Sequence, residues 1–217
     1  MNVEQARFNM IEQQIRPWDV LDTSVLALLS AVRREDFVPL DHKAHAFMDI
    51  EIPLGAGRYL LAPRVEARLV QDLNLCKRDT VLHIGAGTGY VTALLAHKSQ
   101  RVIGLESDAS LASIARTNLR NAAVNNAEIV QADGSAGFAG QAPYDAILLT
   151  GSVAEMPKNL LDQLKTGGRL LAIVGHEPVM QATLYTRISD TQFSSQALFD
   201  TVAPRLSGFK EPSRFQF

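Results

Sequence analysis

The sequence predicts an α/β chain: a doubly wound, mostly parallel sheet of seven strands, preceded by a helical cap and ended by an antiparallel hairpin. Three observations predict it. From residue 79 onward, apolar runs of strand length alternate with stretches of helical periodicity. The first strand, Val81-Leu-His-Ile84, runs into Gly85-Ala-Gly-Thr-Gly89, a turn too tight for side chains that opens a helix. The last two strands, 179–188 and 193–203, are separated only by a tight turn at Ser189-Asp190-Thr191.

The elements follow in order. Val3 to Ile15 and Thr23 to Arg34 read as helices, the second with Val25, Leu26, Leu29 and Val32 at helical spacing. Asp22 or Thr23 caps it. Arg33-Arg34-Glu35-Asp36 reads as a helix end with solvated charges, and Phe37-Val38-Pro39 as an extended segment. Ile50 to Tyr59 holds Pro53, Gly55 and Gly57, which suits a loop or edge strand. Pro63 starts a helix whose buried face is Val65, Leu69, Val70 and Leu73. Residues 1–78 thus form the cap and a loop, and 79–217 the core, packed as one compact unit.

Within the core, strands fall at 79–84, 101–106, 127–131, 144–150 and 169–175, with helices near 89–98, 108–123 and 157–165. Lys165-Thr-Gly-Gly-Arg-Leu170 reads as a helix-terminating turn, and Asp145 as a strand-entry residue bonding nearby backbone. Right-handed crossovers place a ligand site at the carboxyl edge of such a sheet.

Composition excludes several classes. A hydrophobic content of 47% over 217 residues suits a globular chain with a sizeable core; mean hydropathy is +0.02. No run approaches the ~20 apolar residues of a membrane span, and the polar start carries neither a signal-peptide core nor a transit pattern. One cysteine implies a reducing cytoplasm. A net charge of −2 offers no general attraction to nucleic acid. His42, His45, His97 and His176 show no metal-ligand spacing with one another or with Cys76. Cys76, beside Lys77 and Arg78, reads as inert packing, and those two cations as solvated.

The chemistry lies in the glycine turn. A turn at a strand's carboxyl end lets backbone approach a ligand closely, and Glu106, closing the next strand, is placed to accept from two ribose hydroxyls. A dinucleotide turn wants G-x-G-x-x-G/A, and here Tyr90 stands at the third small position. The pattern therefore favours a compact nucleoside without pyrophosphate, S-adenosyl-L-methionine. Its contacts are expected from Gly85, Ala86, Gly87, Thr88 and Gly89 at the methionine part, and from Glu106 and Ser107 at the ribose. Asp133 and Gly134 are expected at the adenine, and Thr150, with Gly151 and Ser152, opposite the methyl. His83 stands where an acidic residue would more naturally meet the ammonium of the methionine moiety; it reads as a satisfied core histidine in preference to a catalytic one, and its position counts it with the cofactor set.

Together these residues resemble the protein-L-isoaspartate O-methyltransferase family over nearly the whole chain. Val81 to Tyr90 matches its nucleoside motif, and Tyr144 to Thr150 and Leu164 to Leu170 match later strands. Arg34-Glu-Asp-Phe-Val-Pro39, Ala46-Phe-Met-Asp49 and Ile52-Pro-Leu-Gly55 resemble its more specific N-terminal segments. The resemblance implies a Rossmann-like enzyme that carries a methyl to the carboxylate of isoaspartyl residues in damaged proteins, leaving S-adenosyl-L-homocysteine. The ester then closes to a succinimide that can reopen to aspartate. It implies a cytoplasmic monomer with isoaspartyl proteins as partners, and neither membrane nor nucleic acid.

The chain departs from the family in its substrate loop. The usual Gly-Gln-Thr-Ile-Ser before Pro is here Gly57-Arg58-Tyr59-Leu60-Leu61-Ala62-Pro63, so Tyr59 and Leu61 replace two hydroxyl residues. Arg58, Tyr59 and Leu61 are the candidate acceptor-side residues, with Arg58 able to offer a charge-assisted bond. The departure leaves open a relative with another acceptor, or a cofactor-binding protein with little activity. The C-terminal stretch, Pro204 to Phe209 and on to Phe215-Gln216-Phe217, is expected to dock on the sheet rather than cover the cleft.

Overall fold

Val81, Leu82 and Ile84 are fully or almost fully buried, as are Val102, Ile103 and Leu105, and the two runs pair in parallel with Val81 opposite Val102 and Ile84 opposite Leu105. Strands buried on both faces need helices on both sides. The computed structural model describes residues 2–211; Phe215-Gln216-Phe217 lie outside them.

The core sheet contains β3 (Thr80–Ile84), β4 (Arg101–Glu106), β5 (Ala127–Gln131), β6 (Tyr144–Val153), β7 (Leu164–His176), β8 (Val179–Arg187) and β9 (Phe193–Asp200). Their order is β5-β4-β3-β6-β7-β8-β9, parallel through β7 and antiparallel for the last two. The expected architecture and C-terminal hairpin are therefore present. The chain winds outward from β3 to β5 and returns to lay β6 on the other flank of β3. That reversal opens a crevice at the carboxyl ends of β3 and β6. Helices α4 (Tyr90–Lys98) and α5 (Ala109–Asn121) supply crossovers.

The cap contains α1 (Val3–Met10), α2 (Thr23–Ala31) and α3 (Pro63–Asp72). Asp22 is the cap of α2, accepting from the Ser24 N–H at 2.8 Å. The first helix reaches Ile15 as expected, but only its first part, to Met10, is α-helical. It widens into a π-helical turn at Ile11–Ile15 and a 3₁₀ turn at Arg16–Trp18, where Pro17 cannot donate to the ladder. Cap residues Met10, Ile15, Leu29, Phe37 and Leu69 share one apolar cluster with Val81, Tyr90 and Leu94 of the core.

The segment 50–59, expected as loop or edge strand, holds strands of an antiparallel hairpin, β1 (Ile52–Gly55) and β2 (Arg58–Leu60), with Ile52 opposite Leu60. Three other expectations are corrected. The helix expected at 157–165 shrinks to α6 (Lys158–Leu161), and 165–168 bulges out within β7, between the Tyr144–Leu164 and Ala146–Arg169 pairs. The glycines fit this bulge: Gly167 has φ +81°, and a Cβ on Gly168 would lie 2.8 Å from the Lys165 carbonyl. Cys76 is exposed rather than packed, and its thiol donates to Asp79 at 2.8 Å.

Arg34 is not solvated. It is wholly buried, donating to the Ala46 and Leu61 carbonyls, each at 2.8 Å, and pairing with Glu66 at 3.1 Å. Its guanidinium lies 5.7 Å from the centre of the Tyr90 ring. Two carbonyls and a carboxylate meet the requirement that a buried charge be paired, and they tie α3, the 57–62 segment and the 34–46 segment together within the cap. Asp145 behaves as expected, accepting from the Thr80 N–H at 2.8 Å.

Candidate functional site

The glycine turn is held from both sides. The Gly85 and Ala86 N–H groups donate to the Leu105 carbonyl at 3.0 Å, and Gly85, Gly87 and Gly89 take φ of +87°, +54° and +91°. Underneath, the Thr150 hydroxyl donates to the Gly85 carbonyl at 2.7 Å. That hydroxyl has one proton, so it must accept from His83, whose Nε2 lies 2.8 Å away. Nδ1 is then the acceptor for Thr92 Oγ1, also at 2.8 Å. Burial pushes His83 down to about 3, so the ring is neutral at ordinary pH.

At the end of β4, Glu106 is 3% exposed. It accepts from the Gly87 N–H at 2.8 Å and the Asp108 N–H at 2.9 Å. Arg58 reaches across from β2, its Nε 3.4 Å from Glu106 Oε1. The same guanidinium donates to Ser107 Oγ at 2.7 Å and Ser207 Oγ at 3.0 Å.

These groups border one open cleft. Of the expected cofactor residues, Gly85, Gly87, Glu106, Ser107, Gly134 and Thr150 line it, as do Arg58, Tyr59 and Leu61. Tyr59 is 42% exposed at the rim, whereas Leu61 is 3% exposed. The others lie elsewhere. His83 is inside the sheet with both ring nitrogens engaged, so it supports the turn and does not face the cleft. Ala86 is 4% exposed and, with His83, borders a smaller cavity behind it. Thr88 is buried, its carbonyl accepting from Asn118 at 2.9 Å. Gly89 faces α5, where a Cβ would lie 3.3 Å from the Ala115 carbonyl. Asp133 caps the short turn after β5 through the Ser135 N–H at 2.9 Å.

Two contributions depart from the sequence reading. The stretch 203–209, expected to dock on the sheet rather than cover the cleft, docks and also forms a strap along the cleft. The Ser152 N–H donates to the Pro204 carbonyl at 2.8 Å, and the Leu206 N–H returns to the Ser152 carbonyl at 2.9 Å. Leu206 packs so closely on the turn that a Cβ on Gly85 would lie 2.8 Å from it. Glu66 is the second, 1% exposed and bordering the cavity behind Leu61. A signal existed: Glu66, Leu69, Val70 and Leu73 share helical spacing, which puts an acid on an apolar face.

A bare-backbone turn over one strand, a buried carboxylate ending the next, and a seven-stranded sheet with this winding define a Rossmann-like methyltransferase fold. Solved structures share it. A beta-aspartate methyltransferase of Plasmodium falciparum, solved with S-adenosyl-L-homocysteine, superposes with a TM-score of 0.78 at 20% identity, covering 95% of this chain and 99% of its own. A protein-L-isoaspartate O-methyltransferase superposes with a TM-score of 0.78 at 25% identity, covering 93% of this chain and 66% of its own. By sequence, a protein-L-isoaspartate O-methyltransferase of Methanoculleus marisnigri is 40% identical over 171 residues, 79% of this chain and 78% of its own. One of Koribacter versatilis is 35% identical over 181 residues, 83% and 81%. The chain belongs to the protein-L-isoaspartate(D-aspartate) O-methyltransferase family, whose sequence profile matches residues 5–203.

Proposed function

We propose that this chain is an S-adenosylmethionine-dependent carboxyl O-methyltransferase that methylates isoaspartyl residues of damaged proteins. The observation that carries the reading is the Gly85–Gly87 turn and Glu106, hydrogen-bonded to one another and bordering one cleft, in a chain of this family. The residues suit the cofactor. Positive φ at Gly85 and Gly87 bares the backbone, and Glu106, though it accepts from two N–H groups and faces Arg58, has lone pairs left for hydroxyls. The cofactor would supply an electrophilic methyl on a sulfonium.

The acceptor asks little of the protein. A carboxylate of pKa about 4 is ionised at neutral pH, so no general base is needed. The remaining tasks are alignment and exclusion of water. Leu61, Leu206 and Phe209 give the cleft apolar walls. Arg58 and Arg205 are its cations. Both are engaged, Arg205 by Ser152, the Gly175 carbonyl and Glu211 and Arg58 by Glu106, Ser107 and Ser207; Arg58, beside Tyr59 in the loop, is the one this reading assigns to an anionic acceptor. The reading also places the protein in the cytoplasm, supported by a lone unpaired cysteine.

One observation favours a second reading, in which the cofactor is kept and the acceptor differs: Leu61 offers an acceptor carboxylate no hydrogen bond. Titration with S-adenosylmethionine beside radiolabelled methyl transfer to isoaspartyl and aspartyl peptides separates the two. Binding with base-labile label on the isoaspartyl peptide alone supports the first. Binding without that transfer favours the second, and absence of binding overturns both.

A further inference from the structure

The turn that would receive the methionine end has no acid beside it on β3. His83 is neutral there, and both its nitrogens are used by Thr92 and Thr150. Glu106 is the only carboxylate among the described residues bordering the cleft, and it lies at the ribose side with Arg58. A cofactor ammonium therefore needs a counter-charge from another element.

Glu66, in the first turn of α3, supplies one. A small cavity with room for about one water molecule lies behind Leu61. Glu66, His83, Gly85, Ala86 and Gly87 border it, and Gly85, Gly87, Leu61 and Thr150 border the main cleft as well. The cavity thus adjoins the glycine turn, and an ammonium is about the size of a water. The Glu66 carboxylate pairs with Arg34 on one side at 3.1 Å, a contact that explains how it is tolerated in the core. It does not explain why Glu66 also faces a cavity at the turn.

We propose that the Glu66 carboxylate receives the α-ammonium of the cofactor's methionine moiety in this cavity, the role that the residue type at 83 cannot fill. The assignment rests on the reading that the cleft takes S-adenosylmethionine. Burial raises Glu66 and Arg34 only partly offsets this, so the site has room for a second cation.

Calorimetric binding of S-adenosylhomocysteine and of 5′-methylthioadenosine, which lacks the amino-acid part, tests it. Glu66→Gln should weaken the first by about 10- to 100-fold, as expected for a charge-assisted bond, and leave the second unchanged. Equal loss for both ligands, or no loss for either, overturns the assignment. Because the variant also removes the counter-charge of Arg34, a second arm uses the unmutated protein. There, desamino-S-adenosylhomocysteine should bind at least about tenfold more weakly than its parent, and equal binding overturns the assignment. If the unmutated protein binds neither S-adenosylhomocysteine nor methylthioadenosine, the cofactor reading fails and the assignment with it.

Discussion

His83 Nε2 lies 2.8 Å from Thr150 Oγ1, and through that hydroxyl the imidazole is tied to the Gly85 carbonyl. A residue in the middle of β3 thus fixes the shape of the turn at its end. Thr150→Val keeps the volume and removes the link, leaving a buried N–H and a carbonyl short of a partner. We expect a loss of about 1–3 kcal/mol in urea unfolding, with weaker cofactor binding. A change no larger than that of an exposed substitution would show the relay to be unimportant.

Gly89 tests whether the third glycine serves packing. Alanine there must take φ +91° and meets the Ala115 carbonyl at 3.3 Å. Gly89→Ala should lower stability by about 1–2 kcal/mol, read as a fall in melting temperature. An unchanged melting curve would contradict the placement.

Arg58 joins β2, the end of β4 and the strap through Ser107, Ser207 and Glu106. Arg58→Ala should leave global stability within about 1 kcal/mol, since the residue is partly exposed. Amide exchange at Leu206 and Ser207 should nevertheless become several-fold faster. Unaltered exchange would mean the strap is held by Ser152 and Leu206 alone.

Leu61→Ser restores a hydroxyl in the substrate loop and should raise methyl transfer to isoaspartyl peptides. Leu61 is 3% exposed, so the change also costs about 2–5 kcal/mol of stability. The assay therefore belongs at a temperature where circular dichroism shows the variant folded. No gain under those conditions would point to wider divergence of the loop.

Glu66 gives a pH signature. Burial raises it from 4.5 to about 7 despite Arg34. The folded state thus favours its protonated form, a contribution complete below pH 4.5 and lost as pH rises through 7. Of the titrating groups around it, Tyr90 is raised by burial and His83 is pushed down to about 3, so neither titrates in that window. The stability of wild type relative to Glu66→Gln should fall across the window by on the order of 1 kcal/mol or more. A difference independent of pH would refute the shift. Glu35, Asp22 and Asp79 are lowered and act the opposite way at more acid pH, which cancels in this comparison.

The sequence by itself determined the sheet, the glycine turn and the carboxylate at 106, because each is local: a strand-length apolar run, a turn that excludes side chains, an acid ending the next strand. The segments whose structure departs from expectation depend on contacts far along the chain. Gly167 and Gly168 look like a helix stop, but pairing of Leu164 with Tyr144 makes them a bulge. Arg34 looks like a surface charge until the carbonyls of Ala46 and Leu61 and the carboxylate of Glu66 close around it. Only tertiary structure could lay Leu206 on Gly85, 121 positions earlier in sequence, or bring Glu66 to the cavity beside a neutral His83. Periodicity reports which face of an element is apolar. Which polar groups that face meets is decided by elements packed against it from elsewhere.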